Sequence, residues 1–326
     1  MIRYQDSHVS HVIQTQQFEL STLFDWIFPL ADRMRLETGE NNYLKGSRMI
    51  SWFEEPSTRT QVSFSMAMSL LGGEVSFSTE NASQFSSRAK GESISDTIRI
   101  LNGYHADLLV GRFAKAGDAA KAAHVSNIPI INAGDGNNQH PTQALLDLYT
   151  IFRKFGKIDG LKIALVGDLN NGRTIKSLAY LLGKFGNIRL YFVSPLSMRI
   201  GDDIKIYLDK HGISWDEYDN LESVASEVDV IYMTRIQTER GSALTEEELI
   251  PGRFSINQKI LDLMPADSII THPLPRQQEI PEYVDSDPRA HYFIQAENGL
   301  YVRMALLLMV LRPKMVPMIM KALTAH

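Results

Sequence analysis

The sequence predicts an α/β protein with two doubly wound domains, each built on a mainly parallel sheet flanked by helices. Short apolar runs of strand length alternate with longer helical patterns, as expected for parallel β-α-β units. The chain has 326 residues, which is long for one domain and natural for two. Turn-forming residues at 155–160 separate two such alternations and predict a domain joint. We therefore expect a first domain at 1–155 and a second domain that begins at 156.

The first alternation begins with an expected helix that Ser21 caps and Pro29 kinks. A helical pattern over 62–71 ends at a pair of glycines, a usual helix stop. A further helix is predicted to begin at Pro141, because proline is favoured in a first helical turn. Apolar runs predict buried strands at 49–53, 108–110 and 128–131.

The second alternation has the same character, with a helix expected over 174–183. The last stretch, 304–325, is expected to be a helix with a break at Pro313. Its apolar run at 304–311 is far too short to span a bilayer. The polar segment 238–248 is interpreted as a lid. Strands are predicted at 162–166, 189–193, 228–233 and 268–270.

Composition and charge narrow the classes of function. The formal net charge is −5, so no general attraction to nucleic acid or anionic membranes is expected. The chain has no cysteine, which excludes disulfides, thiolate metal sites and cysteine nucleophiles. This composition suits a reducing compartment. The first residues lack the apolar core of a signal peptide, and we expect a cytoplasmic protein.

The most informative local motif is Ser57-Thr58-Arg59-Thr60, where the strand at 49–53 ends and a helix is expected to begin. Backbone N–H groups at a helix N-terminus are unpaired, and the helix dipole favours negative charge there. An arginine that can bind an oxyanion through two nitrogens completes a phosphate pocket. A plain Ser/Thr cap beside a solvated arginine is the alternative interpretation.

Other polar motifs also follow predicted strands. Taken singly, a histidine is more often structural and an arginine more often solvated. The carboxyl ends of parallel strands converge on one cleft, however, so the motifs are expected to act together. Because clustered arginines repel each other unless anions bind, the ligand should carry several negative charges. The motifs are Arg112, His140-Pro141-Thr142-Gln143, Arg173, Arg235 with Gln237, and His272-Pro273-Leu274-Pro275-Arg276.

Two other classes of function compete with an enzyme that binds anions. A dinucleotide-binding oxidoreductase would need a Gly-x-Gly-x-x-Gly turn, but Gly167 and Gly172 are too far apart for that fingerprint. Asp168 would also repel a pyrophosphate. A non-catalytic anion-binding module is disfavoured by His140 and Gln143 beside the phosphate pocket, and it stays open.

Five segments together resemble the catalytic chains of aspartate carbamoyltransferases. Ser-Thr-Arg-Thr and His-Pro-x-Gln belong to the wider carbamoyltransferase superfamily. Thr234-Arg235-x-Gln237 is typical of the aspartate branch, as is the His-Pro-Leu-Pro motif, since the ornithine branch has a cysteine in the corresponding motif. The likeness runs in order from about residue 50 to 311 and rests on 53–60, 132–143, 232–237, 272–276 and 295–304.

The resemblance implies transfer of the carbamoyl group from carbamoyl phosphate to the amine of L-aspartate, giving N-carbamoyl-L-aspartate and phosphate. This is an early step of de novo pyrimidine biosynthesis and needs no metal or redox cofactor. A carbamoyltransferase for another amino acid, such as ornithine or an acylated ornithine, is the alternative. The first domain would bind carbamoyl phosphate and include a returning C-terminal helix at about 300–326. The domain at 156–299 would bind aspartate.

By position, the resemblance also implies the site residues. Those for carbamoyl phosphate are Ser57, Thr58, Arg59, Thr60, Ser86, Lys90, Arg112, His140 and Gln143. Those for aspartate are Lys90, Arg173, Arg235, Gln237 and Leu274, and the Leu274-Pro275 bond is expected to be cis. The catalytic residues would be Arg59, Thr60, Lys90, Arg112 and His140.

The implied chemistry is electrostatic. Preorganised donors from Thr60, Arg112 and His140 would stabilise the carbonyl oxygen as negative charge develops on it. Gln143 would bind the carbamoyl amino group. We treat His140 as a hydrogen-bond donor more than a proton shuttle, because the departing phosphate can itself accept the proton of the amine. Cations at 59 and 90 would offset the charge of the leaving group.

In this family, loop residues that match Ser86 and Lys90 reach into the neighbouring subunit's site, which implies a homotrimer with shared active sites. Glu55 matches a carboxylate that pairs with Arg173 and Arg240 when the domains close. Whether regulatory chains or a dihydroorotase join the trimer stays open. Departures from the family pattern lie at 79–85, 111–113 and 170–172.

Overall fold

The computed structural model describes residues 11–37, 39, 41–236 and 253–321. Contacts divide the chain into two compact units, of which the first comprises Met1–Leu145 and Asn298–His326 and the second Leu146–Glu297. The division falls inside the helix Pro141–Phe155, earlier in the chain than the joint that the sequence predicts. The predicted limits of the two domains therefore stay a prediction.

In the described residues, the first unit contains a parallel sheet with the strand order β2-β1-β3-β4. The strands are β1 (Arg48–Phe53), β2 (Glu74–Thr79), β3 (Leu108–Phe113) and β4 (Ile130–Asp135). The helices are α1 (Phe28–Leu36), α2 (Thr58–Leu70), α3 (Ala82–Phe85), α4 (Ile94–Leu101) and α5 (Asp118–Val125). The next helix, α6 (Pro141–Phe155), begins in this unit and ends in the second.

Helices cover both faces of this sheet. Alternate residues of β1, such as Ile50 and Trp52, pack into an apolar cluster with α4 and α5. Because crossover connections between parallel strands are right-handed, α2 covers the opposite face. Burial of an isoleucine side chain such as that of Ile50 stabilises the unit by roughly 1.5–3 kcal/mol. The packed sheet holds the carboxyl ends of β1, β3 and β4 side by side, and the polar motifs follow those ends.

In the described residues, the second unit contains a parallel sheet with the order β7-β6-β5-β8-β9. Its strands are β5 (Lys162–Val166), β6 (Arg189–Val193), β7 (Ser214–Tyr218), β8 (Val230–Met233) and β9 (Ile269–Thr271). Its helices include α7 (Arg173–Leu182), α8 (Asp202–Lys210) and α9 (Gln258–Leu263). Residues of β5, β6, β8 and β9 form one buried apolar cluster with the chain around α9.

The structure confirms two doubly wound parallel sheets and the return of the C-terminal helix to the first unit. That helix, α10 (Tyr292–Leu311), passes into the first unit at Asn298 and precedes α11 (Val316–Lys321). Arg303 of α10 donates a hydrogen bond to Ser63 Oγ of α2 over 2.8 Å. By length and composition α10 could cross a membrane, but 67% of its apolar window is buried, as in a core helix.

Several sequence expectations were wrong in detail. The edge strands β2 and β7 were not predicted, because their residues are mostly polar and at least partly exposed and lack an apolar run. Helix α10 begins at Tyr292, well before residue 304. Ser21 makes no side-chain cap, since its own backbone is helical and a π-helical turn, Thr22–Ile27, leads into α1. The predicted lid at 238–248 is not one of these, because it lies outside the described residues and stays a prediction.

Candidate active site

The Ser-Thr-Arg-Thr motif lies at the N-terminus of α2, as the sequence predicts. Ser57 is the N-cap residue, and its Oγ donates to Thr60 Oγ1 over 3.1 Å. Thr60 is buried, whereas Thr58 and Arg59 are exposed. Partial burial lowers the pKa of Arg59, and its guanidinium still stays charged at neutral pH. A cation and three hydroxyls therefore lie at the positive end of a helix dipole.

An anionic oxygen already uses this helix terminus. Glu80, just after β2, accepts a hydrogen bond from the backbone N–H of Ser57 over 2.9 Å. The hydroxyl of Thr58 approaches the same carboxylate oxygen at 3.5 Å. This contact was not predicted, because Glu80 is distant from Ser57 in the chain and the strand before Glu80 was not predicted either. The geometry shows that the turn can hold a negative oxygen through its backbone.

Arg112 lies at the end of β3, where it pairs in register with Phe53 of β1. Its Nη1 donates to the carbonyl of Ala133 over 3.3 Å, and its Nε is 3.6 Å from Glu55. The guanidinium is therefore oriented by contacts from β4 and from the turn that leads into α2. The pairing of Glu55 with Arg173 and Arg240 stays a prediction, and Arg240 lies outside the described residues.

His140 and Gln143 follow a turn that the buried carboxylate of Asp135 organises. Asp135 accepts hydrogen bonds from the backbone of Gly117 and Gln139 and from the side-chain amides of Asn132 and Asn138. His140 is buried and lies just before α6. Its backbone carbonyl accepts a hydrogen bond from the backbone N–H of Gln143. The ring Nδ1 lies 3.4 Å from Thr142 Oγ1. The Asn-Ala-Gly-Asp-Gly motif is thus a scaffold for the histidine.

In the second unit, Arg173 is the first residue of α7. The turn before it is closed by Asp168, which accepts from the backbone and the side-chain amide of Asn171. Gly167 has φ +117°, and a Cβ there would lie 2.4 Å from the carbonyl oxygen of Thr234. Only glycine therefore allows the ends of β5 and β8 to approach this closely.

Arg235 follows β8, whose end is held by a buried hydrogen bond. Tyr232 donates to Asp147 of α6 over 2.8 Å. Burial, and then the nearby Asp147 carboxylate, raises the pKa of Tyr232 well above its usual range, so the phenol stays protonated. Arg235 itself is half-buried. Gln237, the predicted companion of Arg235, lies outside the described residues.

Leu274 is held by a histidine rather than by packing alone. Its N–H donates to His272 Nδ1 over 2.7 Å, which requires the ring proton to lie on Nε2. Nε2 then donates to Glu279 over 2.9 Å. Burial would raise the pKa of Glu279, but hydrogen bonds from His272 and from backbone amides outweigh burial and lower it. Leu274 has φ +56°, and its bond to Pro275 is cis, as expected.

One buried carboxylate links the ends of β8 and β9. Asp147 accepts from Tyr232 and also from Gln295 Nε2, the latter over 2.6 Å. The other atom of the same amide, Gln295 Oε1, accepts from the N–H of His272 over 2.8 Å. No role for Asp147 was predicted from the sequence. Its only signal was a charged residue within an apolar helical run.

Each unit therefore gathers its own share of the predicted residues at the carboxyl edge of its sheet. In the first unit these are Ser57, Thr58, Arg59, Thr60, Arg112, His140 and Gln143. In the second unit they are Arg173, Arg235 and Leu274. Ser86 and Lys90 belong to the loop that follows α3.

Comparisons with known proteins identify the family. The model of the family "Aspartate/ornithine carbamoyltransferase, carbamoyl-P binding domain" matches residues 10–153. The matching "Asp/Orn binding domain" covers residues 159–310. Aspartate carbamoyltransferase 3, chloroplastic, of Pisum sativum is 52% identical over 94% of this chain and 79% of its own. The aspartate carbamoyltransferase catalytic subunit of Methanocaldococcus jannaschii is 49% identical over 81% of this chain and 85% of its own.

Solved structures agree with these relatives. The catalytic subunit of the M. jannaschii enzyme has a TM-score of 0.82 at 44% identity, covering 92% of this chain and 97% of that one. The Trypanosoma cruzi enzyme with carbamoyl aspartate and phosphate has a TM-score of 0.83 at 35% identity, covering 93% and 96%. Both the sequence motifs and the fold thus agree with one family. The chain belongs to the aspartate/ornithine carbamoyltransferase family, in the branch of the aspartate carbamoyltransferases.

Proposed function

We propose that the chain transfers the carbamoyl group from carbamoyl phosphate to L-aspartate, as an early step of pyrimidine biosynthesis. The observation that carries this proposal is the anion-binding turn at Ser57–Thr60, with Arg112 and His140 following the neighbouring strands of the same sheet. The T. cruzi relative has been solved with carbamoyl phosphate and aspartate together. Relatives of this kind favour aspartate over ornithine or an acylated ornithine.

The first unit supplies the groups that act on carbamoyl phosphate. The backbone at Ser57 and the guanidinium of Arg59 would bind the phosphate, whose charge the helix terminus favours. Arg112, His140 and Thr60 would donate to the carbonyl oxygen. Losing one such donor typically costs about 10²–10³ in rate, because the oxygen carries most charge in the transition state. Gln143 would bind the carbamoyl amine and orient the group.

The amine of aspartate attacks the carbamoyl carbon, a C–N bond forms, and the C–O bond to phosphate breaks. The electron pair of the broken bond leaves with phosphate, which can accept the proton that the amine loses. His140 is buried and would act as a hydrogen-bond donor throughout. The step therefore needs no separate protein base, and positioning of two anions becomes the main task of the protein.

The second unit would bind the two carboxylates of aspartate. Arg173 and Arg235 follow β5 and β8, and Gln237 is predicted to assist them. The backbone of Leu274 is fixed by His272, and its carbonyl would be the acceptor offered after β9. A rigid backbone acceptor suits the ammonium or amine of an amino acid better than a mobile side chain does.

The Arg235→Ala variant should raise the KM for aspartate about 10- to 100-fold, because a hydrogen bond to a charged group is lost. The affinity for carbamoyl phosphate should stay unchanged. Steady-state kinetics with each substrate varied in turn would measure both. Arg199→Ala, which removes another partly exposed arginine of the second unit paired with Glu217, is the matched control. Equal losses for both substrates would refute the carboxylate role of Arg235.

The Glu80→Gln variant should bind carbamoyl phosphate about 2- to 5-fold more tightly, since a charge near a helix terminus is worth roughly 0.3–1 kcal/mol. The carboxylate of Glu80 occupies the N–H of Ser57 and repels an incoming phosphate. Calorimetric titration with carbamoyl phosphate or inorganic phosphate would measure the change. Glu74→Gln neutralises a different exposed carboxylate, at the start of β2, and should have no effect. Weaker binding by Glu80→Gln would contradict this interpretation.

We also propose a homotrimer with shared sites. Apolar side chains are exposed on both faces of the first unit beside the edge strand β2: Val62 and Met66 on α2, Phe77 on β2, and Ile100 and Tyr104 at α4. A cavity of about 420 Å³ lies on the α4 side, with Trp52, Phe77 and Tyr104 in its lining. Two different apolar patches on one unit suit a ring of head-to-tail contacts. Light scattering should give three times the mass of the chain.

The cytoplasmic location stays a proposal that rests on the lack of cysteine. Aspartate carbamoyltransferases of Pisum sativum, Oryza sativa and Arabidopsis thaliana that are similar to this chain are named as chloroplastic. Cell fractionation would decide between the two compartments.

The proposed reaction is tested most simply by product analysis. The purified chain should form N-carbamoyl-L-aspartate and phosphate in equal amounts from carbamoyl phosphate and aspartate. Ornithine and N-acetylornithine, offered in place of aspartate, should give no carbamoylated product. Transfer to either of these amines at a rate equal to that with aspartate would replace the proposal with its alternative.

A further inference from the structure

Arg88 is a largely buried cation in the loop that carries Ser86 and Lys90. Its Nε donates to Glu54 Oε1 over 2.5 Å, and its Nη2 lies 3.4 Å from Asp118. The side chain of Arg88 is 13% exposed, that of Glu54 is fully buried, and that of Asp118 is 4% exposed. Charges this deeply buried are retained only when paired, so the three groups hold each other in place.

The loop itself is a short, closed turn. Ser86 Oγ accepts from the N–H of Arg88 and donates to the carbonyl of Ala82. The N–H of Gly91 donates back to the carbonyl of Arg88, and Arg88 Nη1 also donates to the carbonyl of Glu92. These bonds fix Ser86 and Lys90 relative to Arg88. They do not fix the turn relative to the sheet.

Glu54 supplies that second connection. Its Oε2 accepts from the N–H of Ala114 over 3.0 Å, and its own N–H donates to the carbonyl of Arg112 over 2.8 Å. The carbonyl of Glu54 accepts from Ser83, just before the loop. The ion pair of Arg88 and Glu54 therefore ties the loop to the ends of β1 and β3. Lys90, by contrast, is exposed.

We propose that Arg88 is a positioning residue that holds the Lys90 ammonium where it acts on the phosphate of carbamoyl phosphate. This inference rests on the proposed function, in which Lys90 contacts that phosphate. The buried pair with Glu54 supplies the rigidity, because a lysine at the tip of an untethered turn would sample many positions. Small misplacements of a catalytic group are costly in rate.

The Arg88→Met variant should lower kcat about 10²-fold and leave the KM for aspartate little changed. Arg88→Lys keeps the positive charge but loses the planar guanidinium. Its kcat should lie between those of the wild-type chain and Arg88→Met. Because Arg88→Met leaves Glu54 buried without its cation, the double variant Glu54→Gln with Arg88→Met keeps the test independent of folding. It should regain thermal stability but not kcat. Arg189→Ala removes an arginine–carboxylate pair at the surface of the second unit and should change neither kcat nor thermal stability.

A double-mutant cycle separates positioning from general damage. If Arg88 acts through Lys90, adding Arg88→Met to Lys90→Ala should lower kcat by less than twofold further. If Arg88 is merely structural, the two losses should multiply. Multiplied losses, or near-normal kcat in the stable double variant with Glu54→Gln, would overturn the inference.

Hydrogen exchange of the loop gives a readout that needs no activity. Exchange at residues 86–92 should accelerate at least about tenfold in Arg88→Met and stay unchanged in Arg189→Ala. Unaltered exchange would overturn the inference even if the wild-type chain is active. Absence of carbamoyl transfer by the wild-type chain, with accelerated exchange in the variant, would instead refute the proposed function and leave the tether in place. Full activity of Lys90→Ala would refute the role given to Lys90, and the inference with it.

Discussion

Replacing Arg59 by alanine is expected to lower turnover about 10³-fold while leaving the protein folded. Arg59 is exposed at the start of α2, so its removal leaves no buried charge behind. The effect falls on the phosphate, which loses its bidentate cation as negative charge builds up on the leaving group. Measuring kcat by release of phosphate, with the melting temperature alongside, would test this expectation.

The conservative variant sharpens the test. Arg59→Lys keeps a point charge but not the planar fork, and it should recover only part of the lost rate. Arg189→Ala, on the second unit, should match the wild-type chain in rate and melting temperature. A turnover within about tenfold of wild type for Arg59→Ala would remove the phosphate role from this motif.

The largest effect on stability is expected for Asp147→Ala. The change leaves the hydroxyl of Tyr232 and the amide of Gln295 buried without their shared acceptor. Stranding two buried donors in this way should lower the free energy of unfolding by about 3–5 kcal/mol. Urea denaturation would measure the loss, and hydrogen exchange in β8 and β9 would locate it.

Two comparisons keep this prediction specific. Asp147→Asn retains the shape and one acceptor oxygen, and it should cost less than the alanine variant. Asp216→Ala removes an exposed carboxylate on β7 and should cost less than about 1 kcal/mol. If Asp147→Ala costs no more than Asp216→Ala, the carboxylate is not the link between β8 and β9.

Features formed by residues that are adjacent in the chain could be predicted from the sequence. The strand before Ser57, the helix after it and the positive motif between them are neighbours in the chain, so their geometry follows from local rules. The same is true of Pro141 at the start of α6. The parallel sheets followed from the alternation of strands and helices, and they brought the polar motifs to the carboxyl edges.

The sequence could not predict pairings between distant residues. Glu80 at the N-terminus of α2, Arg88 against Glu54, and Asp147 against Gln295 are each formed by side chains that only the fold brings together. Nothing in their local sequence distinguishes them from solvated charges. The polar edge strands β2 and β7 were missed for a related reason, since sheet edges face water and lack an apolar run.

Binding of N-(phosphonacetyl)-L-aspartate tests the central claim most directly, because this ligand joins a phosphonate to the dicarboxylate of aspartate in one molecule. Calorimetry should show one bound molecule per chain. Arg59→Ala in the first unit and Arg235→Ala in the second should each weaken binding at least about tenfold. If either variant binds the ligand as tightly as the wild-type chain, the two cationic groups do not serve one pair of substrates.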